Sequence, residues 1–388
     1  MTSSSLRIRI NGAGPTGSLL AYGLAINGYH VDLFDPLSFE IISSRSRAYA
    51  LSHSSRRLLS RLGLWNSLKP YLFPFNVLRL EDRAINTHVR FTESDLLASN
   101  QSSGSIGWIV DHGSLMNLLT ERLNTCELVS LHLGNSCSIN SRDSDYSLIV
   151  AADGPRSATR SNLLIPFWSH RYTQGCLTAK VRFRAIDSNV AYECFRPEGP
   201  LALLPLGRND FQVVWSAPLQ RCKQLATLDT VEFLDQLSAI LPCHLEADAL
   251  LDVPAAFPLE LGVAPRLHRG KVLLVGESGH RCHPVGGQGL NLCWRDVDTL
   301  LGLVTTSSAL HRDLKHIPSL YSSRRFFDLL SVGVATDLLV RLFSNRQVAL
   351  LQLRKLSLWL LRRVPLFRQL SLQAMTDGPG TLLHSLPE

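Results

Sequence analysis

Alternating and continuous apolar runs near the start of the chain predict a strand, a turn, a helix and a second strand. Residues 6–11 alternate between polar and apolar side chains, the period of a half-buried strand. An Ala- and Leu-rich helix is expected over 18–27, and a second strand over 29–34. This order of elements is typical of the first unit of an α/β domain that binds a nucleotide.

The turn between the first strand and the helix carries the spacing GxGxxG, formed by Gly12, Gly14 and Gly17. Glycines permit a tight turn and a close approach of backbone to a pyrophosphate, which the positive helix N-terminus favours. Asp35 ends the second strand, where an acid holds the adenosine ribose. The identity of this acid and its distance from the glycines do not distinguish a site for NAD from a site for FAD.

A distant second motif favours FAD. Residues 271–275 form an apolar run that predicts a buried strand, and a glycine-rich stretch follows over 276–292. The glycines around Gln288 allow backbone to approach a flat ring, and a helix from Leu290 directs its positive end at the anionic edge of a reduced flavin. The residues expected to hold the ring are Gly286, Gly287, Gln288, Gly289, Leu290 and Asn291.

A third motif lies between these two in the chain. Residues 148–152 predict a strand that runs into Asp153 and Gly154. Alone, this is an ordinary strand and turn in which Asp153 caps the next segment. In order with the other two motifs, it matches the Asp-Gly motif of flavoprotein aromatic hydroxylases.

Taken together, the chain resembles the ubiquinone-biosynthesis (polyprenyl-phenol) hydroxylase family of FAD-dependent aromatic monooxygenases over nearly its whole length. Similar segments include 47–52, 193–206, 257–259 and 341–345. The resemblance implies that Arg47 lies near the cofactor phosphates or the flavin. It implies that the acid after Gly276, here Glu277 where the family usually has Asp, bonds ribityl or ribose hydroxyls. The backbone of Pro284 is expected to face the reacting edge of the flavin.

The resemblance implies aromatic hydroxylation. NAD(P)H reduces FAD, and one atom of O₂ passes to the ring of a prenylated phenol in ubiquinone or related quinone biosynthesis. The chain has no second GxGxxG, which fits NAD(P)H as a transient reductant. Three alternatives stay open: a flavin-dependent prenyl-chain reductase, an NAD-dependent dehydrogenase that leaves 276–291 unexplained, and a non-catalytic membrane-associated flavoprotein.

The expected fold is α/β, with a Rossmann-like FAD-binding domain, an inserted antiparallel sheet and a C-terminal helical segment. FAD-binding parts are expected over 1–170 and 262–330, the substrate-domain sheet over 171–261 and basic amphipathic helices over 331–388. The sheet is interpreted as one wall of the substrate cavity. Its expected apolar lining consists of Phe195, Leu203, Trp215 and Phe257.

His283 is the candidate catalytic side chain, together with the Pro284 backbone. A histidine there can orient or deprotonate a phenol, or it can be held by a carbonyl for structural reasons. A metal site formed with His280 and Cys282 is not predicted, because these residues are too tightly spaced for typical ligands.

Charge and composition add the expected surroundings. The formal net charge is +7, and residues 338–376 contain seven Lys or Arg and no acid. The Leu-rich pattern there predicts an amphipathic helix that Pro365 ends or kinks. The helix either lies on an anionic membrane surface, with Leu358 and Trp359 entering the interface, or packs on the flavin domain with a solvated basic face. Nucleic acid is not expected as a partner, since aromatic interleaving is lacking. The eight cysteines show no paired spacing, which favours a reducing compartment, and no signal peptide is expected. The expected location is therefore cytoplasmic and peripheral on a membrane.

Overall fold

The computed structural model describes residues 6–134, 145–184, 187–242, 244–309, 313–345 and 347–383, so that Cys137, Cys243 and Arg346 lie outside the described residues. The strands are β1 (Arg7–Asn11), β2 (His30–Asp35), β3 (Ala48–Leu51), β4 (Leu72–Phe75), β5 (Val77–Asp82), β6 (Thr87–Thr92), β7 (Gly107–Asp111), β8 (Val129–Leu133), β9 (Leu148–Ala151), β10 (Trp168–Arg184), β11 (Val190–Phe195), β12 (Leu201–Pro205), β13 (Asp210–Pro218), β14 (Glu246–Leu250), β15 (Ala255–Val263), β16 (His268–Arg269), β17 (Val272–Leu274) and β18 (His280–Arg281). The helices are α1 (Pro15–Ala25), α2 (Phe39–Ser43), α3 (His53–Arg61), α4 (Trp65–Leu68), α5 (Ala98–Gln101), α6 (His112–Asn124), α7 (Ala158–Asn162), α8 (Leu219–Leu225), α9 (Thr230–Ser238), α10 (Gln288–Ala309), α11 (Ile317–Phe343), α12 (Val348–Arg363) and α13 (Pro365–Asp377).

The first sheet has the strand order β16-β17-β9-β1-β2-β8. From β17 to β8 its strands are parallel, and only the short β16 runs antiparallel to β17. Such strands are covered on both faces by helices, which explains their continuous apolar runs. Ile8 and Val150 are fully buried in one apolar cluster with residues of α1, α6 and α10.

The second sheet has the order β18-β15-β10-β13-β12-β11-β5-β6, and β14 also pairs with β10. Neighbouring strands are antiparallel except for β11 and β5, which are parallel. One face packs on α8 and α9 through an apolar cluster that includes Trp215 and Phe233. The other face is directed at the first sheet and its loops. A small sheet, β3-β7-β4, adjoins them.

The second sheet includes more of the chain than the expected range 171–261. β10 begins at Trp168, and β5, β6 and β18 come from segments on either side of that range. Periodicity identifies strands but not their partners, so these distant pairings were not apparent in the sequence. The division of the chain at residues 170, 261 and 330 into functional parts stays a proposal.

The C-terminal helices differ from the amphipathic arrangement expected from the sequence. α12 ends at Arg363 and Pro365 begins α13, which confirms the expected helix end. Leu358, however, is 1% exposed and Arg354 is fully buried, whereas Leu353 and Leu356 are each more than half exposed. The expected membrane insertion of Leu358 was therefore wrong.

Arg354 is buried because the end of α11 offers carbonyl groups without helical partners. Its Nε donates to the Leu342 carbonyl at 2.6 Å and its Nη2 donates to the Asn345 carbonyl at 2.8 Å. The carboxylate of Asp82 on β5 lies 3.8 Å from Nη1. A helical wheel that places every charged residue on the exposed face does not predict a buried cation such as Arg354.

We expect Arg354→Met to lower the free energy of unfolding by about 2–3 kcal/mol, since it removes buried hydrogen bonds made by a charged group. The neighbouring Lys355 is exposed, so Lys355→Met changes stability by less than about 0.5 kcal/mol. Urea unfolding of the two variants measures this difference. Equal stability of both would show that Arg354 does not anchor α12.

Candidate active site

The three glycine- and acid-containing motifs follow three strands that are adjacent in the first sheet. Gly12 follows β1, Asp153 follows β9 and Gly276 follows β17. A Cβ on Gly12 would lie 2.2 Å from the Ala152 carbonyl oxygen, and one on Gly276 would lie 3.2 Å from Thr16 Cγ2. The motifs therefore form one site at the carboxyl edge of the sheet, where α/β proteins bind ligands.

The first turn leaves the N-terminus of α1 accessible. Gly12 has a φ of +107°, and a Cβ on Gly17 would lie 1.8 Å from the Gly12 carbonyl oxygen, so both positions require glycine. Gly14 is the N-cap residue, and its side-chain position meets no protein atom within 4 Å. No side chain caps α1 and no acid lies in its first turn. These N–H groups are suited to a pyrophosphate.

Asp35 supports this turn directly. Its Oδ2 accepts the Ala13 N–H at 2.8 Å, and its Oδ1 accepts the Leu37 N–H at 2.9 Å. A carboxylate has about four acceptor positions, so Asp35 can also accept hydrogen bonds from ribose hydroxyls.

Asp153 and Gly154 form the second part of the site. Asp153 Oδ2 accepts the Thr159 N–H at 3.0 Å, which is the capping role that the sequence suggested. Its Oδ1 is buried and has no hydrogen-bond partner among the described residues. Gly154 has a φ of +76°, and its side-chain position is open. A buried acceptor of this kind fits a hydroxyl donor on a bound cofactor.

The loop from Pro284 to Gly289 forms the third part. Gly286 and Gly287 both have positive φ, and α10 then begins at Gln288 with no acid in its first turn. Gln288 Nε2 donates to the carbonyls of Gly286 and Met375, while its Oε1 is buried without a partner among the described residues. The loop therefore presents backbone and one unused amide acceptor.

Asn291 was expected to hold the ring, but the structure assigns its side chain to the protein. Its Nδ2 donates to the carbonyls of Ala50 and Gly287, and its Oδ1 accepts from Ser52 N–H and Ser55 Oγ. These bonds fasten the loop to β3. Leu290 is half-buried against the first apolar cluster. The Asn291 side chain thus positions the loop, and its amide finds its hydrogen-bond partners within the described residues.

Arg47 and Glu277 are both exposed. Both charges influence Tyr49 on β3, which the sequence analysis did not single out. Burial raises the pKa of Tyr49 to about 12; Arg47 lowers it and Glu277 raises it. The Tyr49 hydroxyl lies 2.8 Å from His112 Nδ1. Arg47, Tyr49 and Glu277 therefore lie near one another at one side of the site.

The second sheet forms a wall opposite the glycine loop. Ala202 on β12 is opposite Val214 on β13, which is opposite Thr178 on β10. These three residues are half-buried, although their strand neighbours are fully buried. Leu204, on the same face, packs into one apolar cluster with Val285 of the loop.

The expected lining by Leu203 and Trp215 was wrong. Both are fully buried on the opposite face, in the cluster that packs on α8 and α9. Side chains alternate between faces along a strand, so the neighbours of these large residues form the wall. Phe195 lies on the correct face but stacks on Phe343 of α11, with ring centroids 4.1 Å apart. Phe257 is 38% exposed.

Comparisons with known proteins agree with this arrangement. Residues 141–306 match the family model described as an FAD binding domain. The chain is 28% identical to the 3-demethoxyubiquinol 3-hydroxylase of Escherichia coli, over 96% of this chain and 99% of that protein. It is 24% identical to the human mitochondrial ubiquinone biosynthesis monooxygenase COQ6, over 91% and 88% of the two chains. Together these similarities identify the chain as an FAD-dependent monooxygenase. A solved p-nitrophenol 4-monooxygenase of Pseudomonas putida, 15% identical, shares its fold with a TM-score of 0.75 over 97% of this chain and 98% of that one.

The site of this monooxygenase fits FAD. The open glycine positions at Gly14 and Gly289 allow backbone to approach a ligand, and the buried acceptors of Asp153 and Gln288 offer it hydrogen bonds. Within the described residues, no group of three or more His, Cys, Asp or Glu is arranged to hold a metal ion. His280 instead contacts Asp296 at 2.7 Å.

His283 of the monooxygenase offers an unused ring nitrogen. Its Nδ1 accepts the Val285 N–H at 3.2 Å, so the proton belongs on Nε2, which is buried without a partner among the described residues. Burial lowers the pKa of His283 to about 4, against an opposing effect of Asp337. The ring of Tyr172 meets its ring edge-on, with centroids 5.4 Å apart. Of the two chemical roles expected for His283, this geometry favours orienting a substrate over deprotonating it.

The C-terminal helix α13 also contributes to the site, which the sequence analysis missed. The Met375 carbonyl accepts a hydrogen bond from Gln288 Nε2, and a Cβ on Gly286 would lie 3.9 Å from Met375 Cε. Asp377, at the end of α13, pairs with Arg57 at 2.6 Å. α13 thus holds the glycine loop, a role that the sequence analysis did not assign to it.

Proposed function

We propose that the chain hydroxylates the aromatic ring of a prenylated phenol in the biosynthesis of ubiquinone or a related quinone. Bound FAD, with NAD(P)H as reductant, would supply the chemistry that transfers an oxygen atom of O₂ to an electron-rich ring. The observation that carries the proposal is the convergence of the three cofactor motifs opposite a half-buried, apolar wall formed by Thr178, Ala202 and Val214. The names of the relatives in Escherichia coli and human support the substrate class.

The protein's own residues bind and orient the reactants. The glycine loop and the N-termini of α1 and α10 hold the cofactor, and the apolar wall excludes water from the reacting ring. His283 Nε2–H donates to an oxygen of the substrate, and the adjacent Pro284 backbone faces the reacting edge. A mostly apolar wall suits a phenol ring better than a charged metabolite.

The experiment measures product formation from a prenylated phenol with ¹⁸O₂ and NAD(P)H. We expect the purified protein to absorb near about 450 nm, as flavins do, and to incorporate one labelled oxygen into the ring. A prenyl-chain reductase would consume NAD(P)H without labelling the product. A flavoprotein that neither consumes O₂ nor alters the phenol would contradict the proposed activity altogether.

We further propose that residues 338–376 attach the protein peripherally to an anionic membrane. None of the described helices combines the length and apolarity needed to cross a bilayer. Arg341 and Arg368 pair with acids, and Arg354 is buried. The remaining cations in the described part of this segment surround a surface cavity of about 220 Å³ lined by Thr87, Lys355, Trp359, Arg362 and Arg363.

Exposed apolar side chains adjoin these cations. Trp359 and Leu356 on α12 are each 54% exposed, and Leu366 and Phe367 begin α13 with similar exposure. Basic groups at lipid headgroups beside apolar side chains are typical of interfacial helices. The prenyl tail expected of the substrate is also lipid-soluble, which supports a membrane location for this face.

We expect reversal of the three charges, by Lys355→Glu, Arg362→Glu and Arg363→Glu together, to abolish binding to anionic vesicles. Each cation near an anionic surface contributes about 1 kcal/mol, so loss of the three cations alone lowers the affinity by about a hundredfold, and the three introduced carboxylates lower it further. Co-sedimentation with phosphatidylglycerol vesicles measures this, and neutral phosphatidylcholine vesicles and Lys223→Glu, at an exposed position of α8, serve as controls. Unchanged sedimentation of the triple variant would refute this face as the attachment site.

A further inference from the structure

One acidic side chain interrupts the apolar wall. Glu193 on β11 is opposite Leu80 of β5 on one side and Ala202 of β12 on the other. The same row continues through Val214 and Thr178. Glu193 is thus the one ionisable member of the row Leu80, Glu193, Ala202, Val214 and Thr178, which faces the glycine loop.

Glu193 contacts the loop itself. The backbone N–H of Gly286, whose φ of +71° belongs to the left-handed region, is close enough to the Glu193 carboxylate to lower the pKa of that group. The side chain is otherwise enclosed, since the residue is only 8% exposed. Glu193 therefore lies where the substrate wall meets the cofactor loop.

The surroundings of Glu193 do not fix its charge. Burial raises the pKa of Glu193 to about 7, and the Gly286 N–H opposes this rise. Its cross-strand neighbours Leu80 and Ala202 carry no charge, and the loop offers only backbone. Cys176, which feels both Glu193 and Arg47, stays protonated because burial raises the pKa of its thiol. A carboxyl group with a pKa near neutrality can accept and return a proton under working conditions.

Hydroxylation of a phenol is assisted when the phenol oxygen loses its proton, because the ring then becomes richer in electrons. His283 does not accept this proton through Nε2, since that atom already carries one. We propose that Glu193 is the proton acceptor for the hydroxyl group of the aromatic substrate, an inference that rests on the proposed hydroxylase function.

The proposed step balances as follows. The phenol O–H bond breaks, its electron pair stays on the oxygen, and the proton forms an O–H bond with the Glu193 carboxylate. The ring carbon then gains an oxygen atom derived from O₂ and loses its hydrogen as a proton, which restores aromaticity. Glu193 returns its proton to the product oxygen, and NAD(P)H supplies the two electrons that reduce the second oxygen atom to water.

Glu193→Gln tests this role with little change in shape, because the amide oxygen can still accept the Gly286 N–H. We expect the variant to retain flavin and to hydroxylate about 10²- to 10⁴-fold more slowly, the usual contribution of a general base. The wild-type rate rises with pH through the pKa of about 7, and this limb disappears in Glu193→Gln. Glu193→Asp retains the limb at a reduced rate.

Two controls test whether the effect on the rate is specific to Glu193. Glu81→Gln alters a buried acid on β5 that is opposite Cys194, on the face away from the loop, and should leave the rate and pH limb unchanged. Infrared difference spectra of wild type against Glu193→Gln report the carboxyl band independently of turnover, and this band should titrate near pH 7.

A hydroxylation rate of Glu193→Gln within about threefold of wild type, with the pH limb intact, would overturn the inference and leave the proposed function standing. A carboxyl band that does not titrate would also overturn it. If wild type binds FAD but forms no hydroxylated phenol, the proposed function itself fails, and the two failures are therefore distinguishable.

Discussion

Gly289→Val is expected to remove flavin from the purified monooxygenase while leaving the apo fold intact. Gly289 is the second residue of α10, and a Cβ there meets no protein atom within 4 Å. Valine therefore fits the protein alone. If the backbone at Gly289 abuts the flavin, the added side chain occupies the same volume as the ring. Overpacking of this kind costs about 1–3 kcal/mol, which weakens binding about 10- to 100-fold.

Gly302→Val is the matched control for this prediction. Gly302 lies on the same helix, is exposed, and also has an open side-chain position. Replacing Gly by Val raises helix propensity in both variants, so a lower flavin content in Gly289→Val alone reports the cofactor contact. Flavin absorbance per protein and the melting temperature of the apo forms measure the two effects. Equal flavin content in Gly289→Val and wild type would show that the loop does not abut the ring.

Local motifs were predictable because their physical requirements are local. The turn through Gly12 and Gly17 requires glycine, since side chains there would overlap backbone atoms, and Asp35 ends the next strand beside it. The Gly286 loop likewise combines positive φ with a following helix. The residues that determine the geometry of each motif lie within about twenty residues of one another in the chain.

Which face of a strand meets the cofactor was not predictable from alternation. The pattern of β12 and β13 shows that Leu203 and Trp215 share one face, but it does not say what covers that face. Glu193 is apparent in the sequence only as part of a similar segment, because the environment of a single acid in a strand depends on its neighbours on β5, β12 and the loop.

Long-range contacts also decided the roles of Asn291 and Met375. The bonds of Asn291 reach Ala50, Ser52 and Ser55, more than 230 residues earlier in the chain. Met375 approaches the loop from the other end of the sequence. No period or spacing within one segment contains this information.

A buried ionic network beneath the Gly276 loop is expected to contribute strongly to the stability of the fold. Asp296 on α10 is fully buried; it accepts the Gly276 N–H at 2.7 Å, and Arg325 Nε donates to it at 2.6 Å. His280 Nε2 lies 2.7 Å away. Burial alone would raise the pKa of Asp296, but His280, Arg325 and the Gly276 N–H together lower it well below its ordinary value.

Asp296→Asn should therefore destabilise the fold by about 3–5 kcal/mol at neutral pH, since it leaves the buried Arg325 without this partner charge. A lowered native pKa contributes stability above the unfolded value of 3.8, and this contribution is lost as pH falls below it. Wild type should lose stability more steeply than Asp296→Asn in that acid range. Urea unfolding from neutral to acid pH measures both effects.

Asp298→Asn is the control for this prediction. Asp298 lies two residues further along α10, is 45% exposed and pairs with Arg61, so its substitution should cost less than about 1 kcal/mol. Similar losses in the two variants would mean that the Asp296 network does not support the loop.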